Sequence, residues 1–237
     1  MMNLVCLHFA GGNKYSYYPF EEHIDKNISL ITLELPGRGK RFHEPLLTDV
    51  NDIVDDLFEQ LKENVSKPYA IFGHSMGAML TYLLAHKIEK SGFESPVHLF
   101  VSGCKAPKIN RKPPFYHDMP KEEFINKIRG MGGCPEEILG NDELMALFEP
   151  SLRADFKAIE TYTYIEQNPL KIPVTVFIGN KDKVTWEEAK AWEEESVHAI
   201  DIKEFEGNHF FIFQHKKEIT ALFKYYLKTK KTIFNNY

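Results

Sequence analysis

The sequence predicts one α/β domain, a central and mostly parallel sheet flanked by helices, and three observations predict it. Short apolar runs rich in β-branched and aromatic residues recur along the chain. Most are continuous rather than alternating, as strands covered on both faces require. Helical patterns fall between them, the alternation that builds a layered α/β fold. The chain has 237 residues, 43% hydrophobic and 27% charged, enough for one large core without disulfide or metal staples.

Taken in order, Leu4–Phe9 is a buried strand rather than the apolar part of a secretory leader, since it is short and no basic segment precedes it. Leu30–Leu35 is the second. Val50, Ile53, Val54, Leu57, Leu61 and Val65 then keep helical spacing, with Thr48 as N-cap and Asp49 and Asp52 in the first turn. Tyr69–Phe72 is the third strand. Met79, Leu80, Leu83, Leu84 and Ile88 make a second helix, closed by Gly92. Val97–Val101, Val174–Ile178 and Ile200–Phe205 complete the strands.

The interval from about Ala106 to Asn168 breaks this rhythm. Leu152, Phe156 and Ile159 share a helical face, while Met131-Gly132-Gly133 and Pro135 separate two helices. A helical insertion between two core strands predicts a lid, because additions to a scaffold carry function. Pro169 and Pro173 bracket the return to the sheet, and the basic end, Lys228 to Tyr237, is expected to fray.

Composition excludes several classes. With 29 basic and 34 acidic residues the net charge is −5, which argues against a nucleic-acid binder relying on bulk positive charge. No apolar run approaches the ~20 residues of a membrane span. Cys6, Cys104 and Cys134 form no framework and no zinc spacing, so three reduced thiols in a cytoplasmic protein are expected, with no metal.

The chemistry centres on Gly73-His74-Ser75-Met76-Gly77, which follows a predicted strand and opens a predicted helix. A serine on such a sharp turn projects its hydroxyl above the sheet edge, and glycines two residues to either side leave room for the backbone. A base and an orienting acid must follow, in the order acid then histidine. Of the late histidines, His198 starts a strand and His215 falls in a helical pattern. His209 alone sits in a loop between strand and helix. The acid is Asp182, just past the carboxyl end of the strand Val174–Ile178. The rival tip, Val101 to Lys105, has no carboxylate, Asp201 is inside a strand, and Glu187 to Glu195 read as a solvated helix face. For an oxyanion hole, Met76 supplies one backbone N–H. Ala10, in the small-residue loop His8-Phe9-Ala10-Gly11-Gly12, supplies the second, with Gly11 or Phe9 as alternatives.

Two further segments read more plainly. Leu35 to Arg41 lacks the third glycine of a dinucleotide fingerprint and is a structured loop rather than a phosphate contact. The basic loop with Lys105, Lys108, Arg111 and Lys112 reads as solvated, with an acidic partner or a phosphate as the alternative.

The runs HFAGG, ELPGRGKR, GHSMG, Glu149 to Phe156 with its Leu152-Arg153-Ala154-Asp155, Ile178-Gly-Asn-Lys-Asp and GNHFFI together resemble type II thioesterases. These are the free-standing editing enzymes of nonribosomal peptide and polyketide synthases, and the similarity runs from about Leu4 to Leu227. The resemblance implies an α/β-hydrolase fold with a helical lid, Ser75 as nucleophile, and Asp182 and His209 beside it. It implies an acyl thioester substrate on the phosphopantetheine arm of an acyl or peptidyl carrier domain, no cofactor of the enzyme's own, and a monomer. A carboxylesterase or lipase acting on small esters is the alternative the same residues would serve. Asn208 departs from the family's usual glycine, which an αL backbone there would accommodate.

Overall fold

A computed structural model describes residues 1–64 and 68–234, with side chains for 1–63 and 68–228. The sheet strands are β1 (Met2–Leu7), β2 (Ile28–Thr32), β3 (Tyr69–His74), β4 (Leu99–Ser102), β5 (Val174–Gly179) and β6 (Asp201–Phe205). All neighbours run parallel in the order β2-β1-β3-β4-β5-β6, with Val5 opposite Ile71 and Val101 opposite Val176. The six predicted apolar runs are these six strands, with ends displaced by a residue or two at most of them. Val65, the last residue of the first predicted helix, lies outside the described residues.

The continuous apolar runs are explained by two cores, one on each face. Val5, Leu7, Ile71 and Val101 point toward α1 (Val50–Asn64) and α2 (Met76–Ser91), whereas Leu4, Cys6, Phe72 and Phe100 point toward α7 (Lys216–Phe234). Gly92 closes α2 in the left-handed conformation (φ 71°), as its position predicts. Ile219, Phe223 and Leu227 anchor α7. Its helical backbone continues to Phe234, into the basic end, a stretch that contains no glycine or proline to stop it. Residues 235–237 lie outside the described residues.

Between β4 and β5 the chain forms α3 (Lys121–Met131), α4 (Glu136–Leu139) and α5 (Asp142–Glu160) and adds no strand to the sheet. These inserted helices are wired to one another. Phe124 packs edge-on against Phe156, the Arg153 guanidinium lies 4.3 Å from the Phe124 ring centre, and Glu160 accepts both the Tyr116 and His117 N–H groups. Beyond β5, a short helix α6 (Trp186–Lys190) passes into a 3₁₀ turn over Ala191–Glu195. Here the expected solvated face is corrected at one residue. Glu195 is buried and accepts a hydrogen bond from the Tyr82 hydroxyl (2.7 Å). In a 3₁₀ turn residues three apart eclipse, so Glu195 follows buried Trp192 inward.

The order reverses at β1: β2 lies on one side of it and β3 on the other. In open parallel sheets the loops diverge at such a point and leave a crevice above the strand ends. The loops after β1 and β3 flank that crevice.

Candidate active site

Ser75 stands between β3 and α2 with φ 55° and ψ −114°, the sole non-glycine at positive φ among the described residues. Its N–H is held by the Ser102 carbonyl at the end of β4 (2.8 Å). A Cβ on Gly73 would stand 2.0 Å from the Gly77 carbonyl oxygen, so that glycine is required by contact as well as by the turn.

The Ser75 Oγ lies 2.9 Å from His209 Nε2, and His209 Nδ1 lies 2.9 Å and 3.1 Å from the two oxygens of Asp182. An ionised carboxylate only accepts, so Nδ1 carries the proton and Nε2 is left to accept from the serine hydroxyl. The side chains of His209 and Asp182 are 12% and 4% exposed. Their two loops are laced together: Lys181 N–H donates to the Gly207 carbonyl (2.9 Å) and Gly207 N–H to Asn180 Oδ1 (3.0 Å). Asp182 is fixed further by Lys183 N–H, which donates to its Oδ1 (2.6 Å).

Asn208 does not adopt the αL backbone expected of it. Gly207 takes the positive φ (135°), and Asn208 Oδ1 instead accepts the Phe210 N–H (3.1 Å). An Asx turn therefore does the work assigned to a left-handed residue. The other late histidines lie elsewhere: His198 bonds the Lys171 carbonyl and His215 the Glu206 carbonyl.

His74 is fully buried beneath His209, with ring centres 4.9 Å apart, and its Nδ1 lies 2.9 Å from Ser102 Oγ. Burial, with the neighbouring His209, holds its pKa well below the usual imidazole range, so it stays neutral.

Met76 opens α2, and a first-turn N–H has no carbonyl partner inside its own helix. Ala10 lines the same cavity as Ser75. Gly11 does not share its availability, because its N–H donates to Asp155 of α5 (2.8 Å). Asp155 in turn takes Arg38 from the loop after β2. The sequence marks both residues, in the PGRG and LRAD runs, but not their meeting, which brings together segments 117 residues apart.

Two cavities converge on Ser75. One, of about 120 Å³, is apolar and roofed by the inserted helices, with Phe9, Leu152, Phe156 and Phe210 in its wall. Cys134 also borders it, and burial raises that thiol's pKa, so it is not a resting thiolate. The other, of about 460 Å³, is a more polar cleft lined by Lys105, Arg111, Lys112, Lys181 and Lys183. The basic loop thus faces the serine, apart from Lys108, which pairs with Glu194. A larger groove of about 1150 Å³ opens at the opposite end of the sheet, beside Val97 and Pro173, away from the serine.

The chain matches the thioesterase-domain family over residues 2–228. It is 36% identical over 219 residues to the gramicidin S biosynthesis protein GrsT of Aneurinibacillus migulanus, covering 92% of this chain and 86% of that one. Among solved structures it superposes on ClbQ from the colibactin NRPS/PKS pathway with a TM-score of 0.92 and 30% identity, covering 98% and 99% of the two chains. The type II thioesterase BorB from the borrelidin biosynthetic cluster gives 0.87 and 32%, covering 95% and 92%.

Proposed function

Because this chain belongs to the thioesterase-domain family, we propose that it hydrolyses acyl thioesters carried on the phosphopantetheine arm of nonribosomal peptide or polyketide carrier domains. Its task is to clear misprimed or stalled carriers or to release an acyl group. The observation that carries this reading is the position of Ser75 where an apolar pocket and a basic cleft meet. The pocket suits the acyl group, and the cleft suits an arm that ends in a phosphodiester.

In this mechanism His209 takes the Ser75 proton as the hydroxyl attacks the thioester carbonyl. The oxyanion is held by the N–H groups of Met76 and Ala10. Collapse of the tetrahedral intermediate expels the thiol sulfur, which receives the proton from His209, and leaves an acyl-serine. Water, deprotonated by His209, then attacks the acyl-serine, and the acid leaves as Ser75 regains its proton. Asp182 keeps His209 in the correct tautomer and stabilises its charged form.

All three residues come from one chain, so the triad needs no second copy, and a monomer is proposed as the working unit. Three cysteines without disulfides fit a reducing cytoplasm. Among the described residues no helix is long and apolar enough to cross a membrane.

The test presents one acyl group in two ways, on a phosphopantetheinylated carrier domain and on free pantetheine, with Ser75→Ala as the blank. Faster hydrolysis from the carrier is expected. Equal or reversed rates would leave a small-molecule thioesterase or esterase whose pocket selects the acyl chain alone.

A further inference from the structure

Arg38, from the loop after β2, meets Asp155 of α5 through two hydrogen bonds, Nη1 to Oδ2 and Nη2 to Oδ1, both 2.8 Å. The side chains are only 9% and 1% exposed. The same Oδ2 accepts the N–H of Gly11, and Arg38 Nη1 also donates to the Gly12 carbonyl (3.3 Å). Leu152, one turn earlier on α5, packs against the same loop: a Cβ on Gly11 would lie 2.4 Å from its Cδ2. The loop after β1 is therefore held against the inserted helix α5 by two of its residues, Asp155 through the buried ion pair and Leu152 through packing.

Fold stability alone gives little reason to bury two full charges here. A hydrophobic pair of similar volume is often as stabilising or more so. What the charged pair adds is directional, a fixed acceptor for one N–H and a fixed donor for the next carbonyl. Gly12 N–H closes a turn on the Phe9 carbonyl (2.9 Å) and Gly11 N–H is committed to Asp155. Among the loop residues lining the Ser75 cavity, these contacts leave open the N–H groups of Phe9 and Ala10, and of the two Ala10 is the one joined directly to the gripped Gly11. An oxyanion donor must sit 2.7–3.1 Å from a charge that exists only in the transition state, so a loop free to drift would lose catalysis without losing substrate.

We infer that Arg38 and Asp155 are positioning residues for the oxyanion site: by gripping Gly11 and Gly12 they set the Ala10 N–H as the second donor and tie its place to α5. The inference rests on the serine-hydrolase reading above and goes beyond it, because it makes the inserted helix part of the catalytic geometry rather than only a cover.

The test removes the pair without stranding a buried charge, in the double variant Arg38→Met/Asp155→Leu. The expected result is a fall in kcat of roughly tenfold to a hundredfold, less than deleting a donor outright, with KM within about twofold. An acyl trifluoromethyl ketone, whose adduct with Ser75 places an oxyanion in the site, should lose affinity by the same factor as kcat/KM. A non-hydrolysable thioether analogue of the substrate should bind unchanged. Equal weakening of both ligands would assign the pair to pocket shape and overturn the inference, as would weakening of neither.

A measurement on the unaltered protein decides the matter even where the double variant does not fold. In ¹⁵N-resolved spectra, forming the trifluoromethyl ketone adduct should shift the Ala10 amide strongly downfield and protect it from exchange. The Gly11 amide, already bonded to Asp155, should stay where it is. A large shift at Gly11 instead of Ala10 would overturn the inference, whereas failure of any adduct to form at Ser75 would overturn the serine-hydrolase reading itself.

Discussion

A Cβ placed on Gly77 would stand 2.0 Å from the carbonyl oxygen of Leu7, so the helix that begins after Ser75 rests directly on the end of β1. That contact sets the serine turn beside the loop proposed to complete the oxyanion site. Because the obstacle is backbone, it cannot swing aside as a side chain would. Gly77→Ala is expected to destabilise the fold by about 1–3 kcal/mol, the usual cost of overpacking, and to lower kcat as β1 and α2 separate. Urea unfolding with the variant beside the parent checks this, and an unchanged midpoint would contradict it.

Ser75 itself holds a strained backbone, at φ 55° and ψ −114°. Such conformations cost of order 1–3 kcal/mol and persist where function needs them. Ser75→Ala should remove at least about a thousandfold in kcat, the scale of losing a nucleophile, while leaving the fold intact. Ser75→Gly should be just as inactive but more stable than the alanine variant by roughly 1 kcal/mol, because glycine relieves the strain. Equal stability of the two would show that the turn is unstrained.

Asp182→Asn is expected to keep the hydrogen-bonded frame but favour the wrong His209 tautomer, at a cost on the order of 10⁴ in kcat by analogy with serine proteases. Thermal unfolding should change little. A nearly silent substitution would place the orienting acid elsewhere.

Burial also predicts how stability depends on pH. His74 and His8 are held neutral, with burial the leading cause for each: His74 lies well below the usual range and His8 falls to about 4. The unfolded chain takes up these protons below about pH 6.5 and the folded one does not, so the unfolded state binds more protons and stability rises with pH across this window. Stability is therefore full above pH 6.5 and is lost as pH falls from 6.5 toward 4. Each histidine contributes up to about 1.4 kcal/mol per pH unit within that window. Urea titrations at pH 7, 5.5 and 4.5 measure the slope, and a flat profile would mean that these imidazoles are hydrated in the folded state.

The basic cleft separates cations that face Ser75 from one that does not. Neutralising Arg111, Lys112 and Lys183 together should raise KM for a carrier-bound substrate more than for a free pantetheine thioester. Lys108→Gln should do neither, since Lys108 is turned to Glu194. The difference should fade in high salt, because exposed charges are screened beyond roughly 8 Å at physiological ionic strength. Equal effects on both substrates would return the loop to a solvated role.

Much of this architecture was legible in the residues. The strands were readable because both faces of each central strand are buried, and GHSMG was readable because a strand, a serine and a helix meet within a few residues. The acid and the histidine followed from their places at strand ends. Three features were not legible. Glu195 turned inward because a 3₁₀ turn replaced the expected helix, the helical backbone ran on past Lys228, and Asn208 met its turn by side-chain capping rather than by a left-handed backbone. Each depends on a local choice between conformations close in energy, which composition does not resolve.

The sequence by itself determined the sheet, its helices and the three residues drawn together at the strand ends, because alternation of buried faces and the chemistry of a strained serine turn are local properties. Only the tertiary structure decided what surrounds them. It put His74 beneath His209, aimed Lys105, Arg111 and Lys112 but not Lys108 at the cleft, and joined Arg38 to Asp155 against the loop of Ala10. Those pairings join residues far apart in the chain, and contact across such distances is fixed by the packing of whole helices against the sheet rather than by any pattern within a single segment.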